Sequence, residues 1–175
     1  MPVTPEKPSA HIELVPAAVE QESILANLLE LYAHDFSEFL SLELGADGRF
    51  GYKNLPPYWS EPGRYPFLIQ VDGRLAGFAL VKRAGTIFDM AEFFIVRGYR
   101  RLGIGRQVAH EVWKRFPGRW EVRVMERNGT ALNFWQRAIA AFNGEAIEPV
   151  RIDKDGEGWY VFAFECRREV GNRAR

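Results

Sequence analysis

Apolar residues recur along this chain in two periods, and the switches between them mark out its elements. His11 to Val15 alternates like a short strand that ends at Pro16. From about Ala18 to Leu40 the apolar positions Ile24, Leu25, Leu28, Leu31, Tyr32, Phe36 and Phe39 return every three or four residues, which predicts a helix. Gly45 to Gly63 has no period. Gly, Pro and the aromatics Phe50, Tyr52, Tyr58 and Trp59 crowd it, and loops of that length in compact domains often carry function. Pro66 to Val71 and Arg74 to Val81 flank Asp72-Gly73, a two-residue hairpin signal. A third long strand follows, Thr86 to Val96, entered through Ala84-Gly85. Helical spacing returns from about Gly103 to Phe116, and Pro117-Gly118 stops it. Trp120 to Met125 alternates as a strand, and Asn128 to Phe142 carries a second apolar helix face. Two last strands, roughly Glu145 to Ile152 and Gly158 to Glu165, are joined through Asp153-Lys-Asp-Gly.

The order is thus β, α, β, β, β, α, β, α, β, β. A strand–helix–strand unit in the middle implies a parallel pair, while the flanking hairpins are antiparallel. The expected fold is α/β: a twisted, mixed, mostly antiparallel sheet with helices on both faces.

Composition narrows the picture. With 175 residues, 47% hydrophobic and 26% charged, the chain suits one soluble domain with a real core. Residues 11–167 are expected to form it, with residues 1–10 and 168–175 as flexible tails. Lys+Arg and Asp+Glu both number 23, and that balance argues against nucleic acid as the main partner. No apolar run approaches the ~20 residues of a membrane helix, so no membrane association is expected. The lone cysteine, Cys166, fits a reducing compartment, and a cytoplasmic location is expected. The three histidines (His11, His34, His110) lie far apart, so no metal site is expected.

Charge is nonetheless concentrated at one place. Arg97 to Arg106 reads R-G-Y-R-R-L-G-I-G-R, between a strand and a helix, and no acidic residue occurs between Glu92 and Glu111. Helix starts favour Asp and Glu, because free N–H groups and the dipole make them electropositive. Arginines there imply countercharge brought by a ligand, a phosphate held by backbone amides. The glycines would let Leu102, Gly103, Ile104, Gly105 and Arg106 turn their N–H groups on a diphosphate, with Arg100, Arg101 and Arg106 adding charge-assisted contacts. A P-loop is excluded, since Ile104-Gly105 replaces its Lys and hydroxyl residue. A dinucleotide fingerprint lacks its third small residue.

Arg100-Arg101-Leu102-Gly103-Ile104-Gly105 matches the pattern [QR]-x-x-G-x-[GA], and Asn128-Gly-Thr-Ala-Leu-Asn-Phe-Trp135 follows after the next strand. The first resembles the pyrophosphate-binding motif of the GNAT superfamily of acetyltransferases, and the second its N-x-x-A-x-x-F-Y segment. The resemblance covers about Ile12 to Glu165. It implies that the central parallel strands splay, and that acetyl-CoA is the donor substrate with no metal. It further implies that an amine of a small molecule or peptide attacks the thioester directly. Carried over, main-chain groups of Phe94, Ile95 and Val96 would bind the pantetheine arm, and Asn128 would bond it from the far wall or simply cap its helix. Glu92, in an otherwise apolar strand, is the expected general base; Asp89 and Glu126 are weaker candidates.

The departure is Trp135. The superfamily commonly has Tyr there as the acid for the leaving thiolate, and an indole N–H is no practical proton source. That leaves a catalytically weak acyl-CoA-binding module as the alternative function. Phe134 reads as a packing residue. The acceptor pocket is expected from the early helix (Tyr32, His34, Asp35, Glu38), the loop near Tyr58 and Trp59, and the last hairpin. A homodimer is compatible with this reading.

Overall fold

In the computed structural model, residues 10–167 are described; apart from Ala10, the expected tails lie outside the described residues. The chain runs β1 (Ile12–Pro16), α1 (Glu22–Phe36), α2 (Pro57–Ser60), β2 (Arg64–Val71), β3 (Arg74–Ala84), β4 (Ile87–Ile95), α3 (Ile104–Arg115), β5 (Gly118–Met125), α4 (Gly129–Asn143), β6 (Val150–Lys154) and β7 (Glu157–Cys166). Short 3₁₀ turns precede α1 (Val19–Gln21) and follow β4 (Arg97–Tyr99).

The strands form one seven-stranded sheet in the order β1-β2-β3-β4-β5-β7-β6. Every neighbouring pair is antiparallel except β4 with β5. Asp72-Gly73 and Asp155-Gly156 both adopt positive φ (50° and 74°; 54° and 81°), the backbone that two-residue hairpins of the right twist require. The last hairpin therefore turns on Asp155-Gly156 alone, and Asp153 and Lys154 stay in β6.

The three largest departures from the sequence expectation lie in the first helix, the aperiodic loop and the penultimate strand. The first helix stops at Phe36, where Phe39 and Leu40 fold back on the Phe36 carbonyl and the Ser37 hydroxyl donates to the His34 carbonyl. A single helical turn, α2, forms in the aperiodic loop behind Pro56-Pro57. The penultimate strand starts at Val150 rather than Glu145, because Pro149 has no N–H to give a ladder.

The sheet buries two cores. On one face α3 and α4 cover Phe88, Met90, Trp120, Val122 and Phe162, with Trp113 and Ile139 fully enclosed. On the other, α1 and the loop with α2 cover Leu68, Phe78, Leu80 and Phe94. The central strand β4 serves both, and it does so through a bulge. Leu80 pairs with Glu92 but Val81 with Met90, so Ala91 is an extra residue. Before it, Phe88 and Met90 face α3 and α4. After it, Phe93 and Ile95 face that side, and Glu92 and Phe94 face α1. An unbroken strand would put Glu92 on the Met90 side.

β3 and β4 approach closely at Gly77, where a Cβ would lie 2.0 Å from the Phe94 carbonyl oxygen. Gly77→Ala should therefore push β4 outward and destabilise the fold by roughly 1–3 kcal/mol. Thermal unfolding would read this as a fall of several degrees, and an unchanged midpoint would contradict the close approach.

Candidate active site

The turn after β4 is built to expose amides. The Tyr99 and Arg100 N–H groups close onto the Val96 and Arg97 carbonyls. Arg101 (φ 63°) and Gly103 (φ 78°) then adopt left-handed backbone, and the chain enters α3 at Ile104. The next N–H to find a carbonyl is that of Gln107, on Gly103 (3.2 Å). Those of Arg101, Leu102, Gly103, Ile104, Gly105 and Arg106 have no acceptor among the described residues, and α3 has no side-chain cap and no acid in its first turn. Free amides gathered at a positive helix end favour an anion. Placing Arg101 in left-handed backbone costs roughly 1–2 kcal/mol, strain of the kind that gathers at functional turns.

The arginines divide into two pairs. Arg97 and Arg100 both reach Asp35 on α1, Arg97 at 2.7 Å and Arg100 at 2.5 Å. Arg100 also donates from Nε to the Ile95 carbonyl (2.6 Å) and stacks over the Phe94 ring. The sequence alone placed all of their countercharge outside the chain; for these two it comes from 62 and 65 residues upstream. Partial burial opposes ionisation of Asp35, but its bonds to Arg100 and Arg97 outweigh that and hold its carboxyl below the usual range. Arg101 and Arg106 are exposed and make no ion pair among the described residues.

β4 and β5 pair only at Ile87–Arg119, Phe88–Trp120 and Asp89–Glu121. Beyond them β5 continues on β7 to Met125 and β4 on β3 to Ile95, so the two part. The gap opens into a cleft of about 850 Å³. The motif turn (Gly103, Gly105), β4 (Phe93 to Ile95) and the start of α4 line it together. On α4, Asn128 uses its Oδ1 to cap the helix, accepting from the Ala131 N–H at 3.0 Å. Gly105 lets the Phe134 ring close in, since a Cβ there would lie 3.1 Å from it. Phe134 is therefore both packing and lining.

Of the residues expected here, Phe94, Ile95, Arg100, Arg101, Gly103, Gly105, Arg106 and Asn128 line the cleft, and Val96, Leu102 and Ile104 do not. The Val96 N–H is spent on the Ala76 carbonyl (2.8 Å), the Leu102 side chain points to solvent, and Ile104 is a core residue. Trp135 is a cleft residue, packed against Phe93. Thr130, Asn133 and Arg137 also line it, and nothing in their spacing singled them out beforehand.

Of the residues expected for an acceptor pocket, Tyr32, Asp35 and Glu38 line the cleft, and His34, Tyr58, Trp59 and the last hairpin do not. Tyr58 and Trp59 pack in the α1 core instead, with the Trp59 indole donating to the Ala17 carbonyl. Glu126, a weaker candidate base, is exposed and taken by Arg151 (2.9 Å) over Gly158. Asp89 is buried and bound by Arg123.

Glu92 stands in a cluster of phenols. Tyr32 donates to its Oε2 at 2.6 Å and Tyr52 to its Oε1 at 3.0 Å. Burial pushes its carboxyl above the usual range; the two phenol bonds and Lys82 pull the other way, and Asp89 adds to the rise. Burial and the Glu92 charge raise Tyr58 as well, whose hydroxyl is enclosed without a partner among the described residues. Tyr52 comes from the aperiodic loop, and Glu30 holds that loop: its carboxylate accepts from the Phe50 (2.7 Å) and Gly51 (2.9 Å) amides. Glu30→Ala should free residues 45–56, and hydrogen exchange there should rise well above wild type while α3 and α4 keep their protection.

A family model described as the acetyltransferase (GNAT) family matches residues 25–140. The chain belongs to that family. No curated protein matches it in sequence. Among solved structures it is similar to an acetyltransferase from Thermus thermophilus, with a TM-score of 0.65 at 18% identity over 87% of this chain and 97% of that one. It is also similar to the PaiA N-acetyltransferase of Thermoplasma acidophilum in complex with coenzyme A (0.61, 13%, 88% and 99%). A third is Arabidopsis thaliana NAA60 in complex with a bisubstrate analogue (0.58, 17%, 89% and 98%). At these identities the likeness is one of fold. This GNAT chain has no helix, among the described residues, long and apolar enough to cross a membrane.

Proposed function

We propose that this GNAT protein transfers the acetyl group of acetyl-CoA to an amine of a small molecule or peptide by direct attack on the thioester. The observation that carries the reading is the run of six amides without acceptors from Arg101 to Arg106, at a helix start opening onto the gap between β4 and β5. A diphosphate satisfies those donors, and Arg101 and Arg106 supply charge beside it. The coenzyme A in the Thermoplasma acidophilum relative supports the choice of donor. A pantetheine arm leaving that turn would run along the unpaired edge of β4 towards Phe93 and Phe94.

Glu92 takes the proton of the attacking ammonium group. Its raised pKa makes it a stronger base than an ordinary carboxylate. A covalent acyl-enzyme is disfavoured, since the only cysteine, Cys166, is buried and its thiol is pushed up to about 12 by burial and by Glu165.

Trp135 favours a second reading, an acyl-CoA-binding module with little turnover. Calorimetric titration with coenzyme A, followed by thiol release from acetyl-CoA over a panel of primary amines and amino-terminal peptides, separates the two. Binding with thiol release is the expected result. Binding without release from any acceptor would favour the module, and no heat of binding would end both.

A further inference from the structure

Glu92 faces the α1 side of the sheet and is absent from the cleft lining. Its two oxygens are occupied by phenols of α1 and of the aperiodic loop, and only one of those phenols, Tyr32, also lines the cleft. Tyr52 does not. Among the described residues, Tyr32 is thus the one side chain that both hydrogen-bonds Glu92 and lines the cleft. Trp135, on the opposite wall, has a donor N–H but no exchangeable acid.

We propose that Tyr32 is a catalytic residue of the transfer, relaying a proton from the acceptor ammonium group to Glu92 and then back from Glu92 to the departing sulfur. This rests on the acetyl-transfer reading above. As the ammonium N–H proton moves to the Tyr32 oxygen, the Tyr32 proton moves to Glu92 Oε2. The neutral amine then forms its N–C bond with the thioester carbonyl carbon. The C–S bond breaks with its electron pair on sulfur, and the nitrogen's second proton leaves to solvent. Glu92 returns its proton through Tyr32 to the thiolate. One proton ends on coenzyme A and one in water, and the carboxylate and phenol are restored. A single tyrosine–glutamate pair thus supplies both the base and the acid, and no acid is needed at position 135.

The surroundings suit a carrier. Burial and the adjacent carboxylate push the Tyr32 phenol well above its ordinary value, so it rests protonated and gives up its proton only as it gains another. Its ring is fixed by edge contacts with Phe78 and Phe94 and by Phe36. The other titrating or charged groups around Glu92 are Tyr52 from the loop, Tyr58 from α2, Lys82 from β3 and Asp89 from β4; none of them lines the cleft.

Tyr32→Phe tests the relay, because it keeps the ring packing and removes only the hydroxyl. Thiol release would be followed with the best acceptor of the amine panel, or with hydroxylamine at high concentration if none of the panel reacts. The expected result is a kcat lower by roughly 10²–10⁴-fold with the KM for acetyl-CoA unchanged. The acidic limb of the rate profile should disappear in Tyr32→Phe as in Glu92→Gln. The double variant should be no slower than the slower single one, as for residues that act as one unit. A Tyr32→Phe enzyme with wild-type kcat and pH profile overturns the relay and leaves acetyl transfer standing. A slower variant whose loss multiplies with that of Glu92→Gln, with the acidic limb intact, reduces Tyr32 to packing and also overturns it. Wild-type protein that binds coenzyme A yet releases no thiol to any amine removes the activity and the relay together.

Discussion

Gly103→Glu should abolish measurable coenzyme A binding while the protein still folds. Gly103 sits in left-handed backbone, and a side chain there meets only the end of Gln107 at 3.9 Å. The strain of roughly 1–2 kcal/mol is small beside an ordinary stability of about 5–15 kcal/mol. The new carboxylate, however, enters the nest of free amides and competes for the donors proposed to hold the diphosphate. Charge-assisted bonds contribute roughly 1.5–3 kcal/mol each, so losing two weakens binding by about 10²–10⁴-fold. Gly156→Glu is the control. It imposes the same kind of strain (φ 81°) in the β6–β7 turn and should bind normally. A calorimetric isotherm for Gly103→Glu that overlays wild type would place the cradle elsewhere.

Glu92→Gln is expected to do the opposite: coenzyme A binding stays, and turnover falls by roughly 10²–10⁴-fold. Glutamine fills the same space and can still accept from Tyr32, so the pocket survives. The sign of the pH effect follows from the raised carboxyl. In wild type the base is lost as pH falls through a value above that of an ordinary glutamate, and the rate falls with it. In the variant that limb is gone. Equal turnover by Glu92→Gln and wild type across pH would remove Glu92 from the chemistry. Unfolding should follow the same linkage: a carboxyl raised in the folded state binds its proton more tightly there. Its contribution to stability therefore grows as pH falls through the folded value and is lost as pH rises through it again.

Much of the architecture was legible because local signals agreed with the global fold. The Asp-Gly turns, the Pro117-Gly118 stop and the strand–helix–strand unit each pointed to the element found. The motif turn was legible too, since glycines and arginines displaced the acids expected at a helix start. The rest depends on contacts far apart in sequence. The Ala91 bulge is invisible in the apolar run Met90 to Val96, which reads alike with or without an extra residue. Asp35 was expected only as an acceptor-pocket residue, and its pairing with Arg97 and Arg100 emerges once α1 packs beside the motif turn. Tyr52 reaches Glu92 from a loop with no period, held by backbone amides on Glu30 that no side-chain pattern announces.

Because β4 lies between two separate cores, the halves of the molecule can vary under different constraints. The wall that would hold the donor is anchored on α3 and α4, and the wall that would meet the acceptor on α1 and the loop clasped by Glu30. Substitutions beneath α1 can reshape what enters from that side without disturbing Trp113 or Ile139. A lineage carrying this frame could exchange one nucleophile for another while retaining its coenzyme, one half a fixed handle and the other a replaceable jaw.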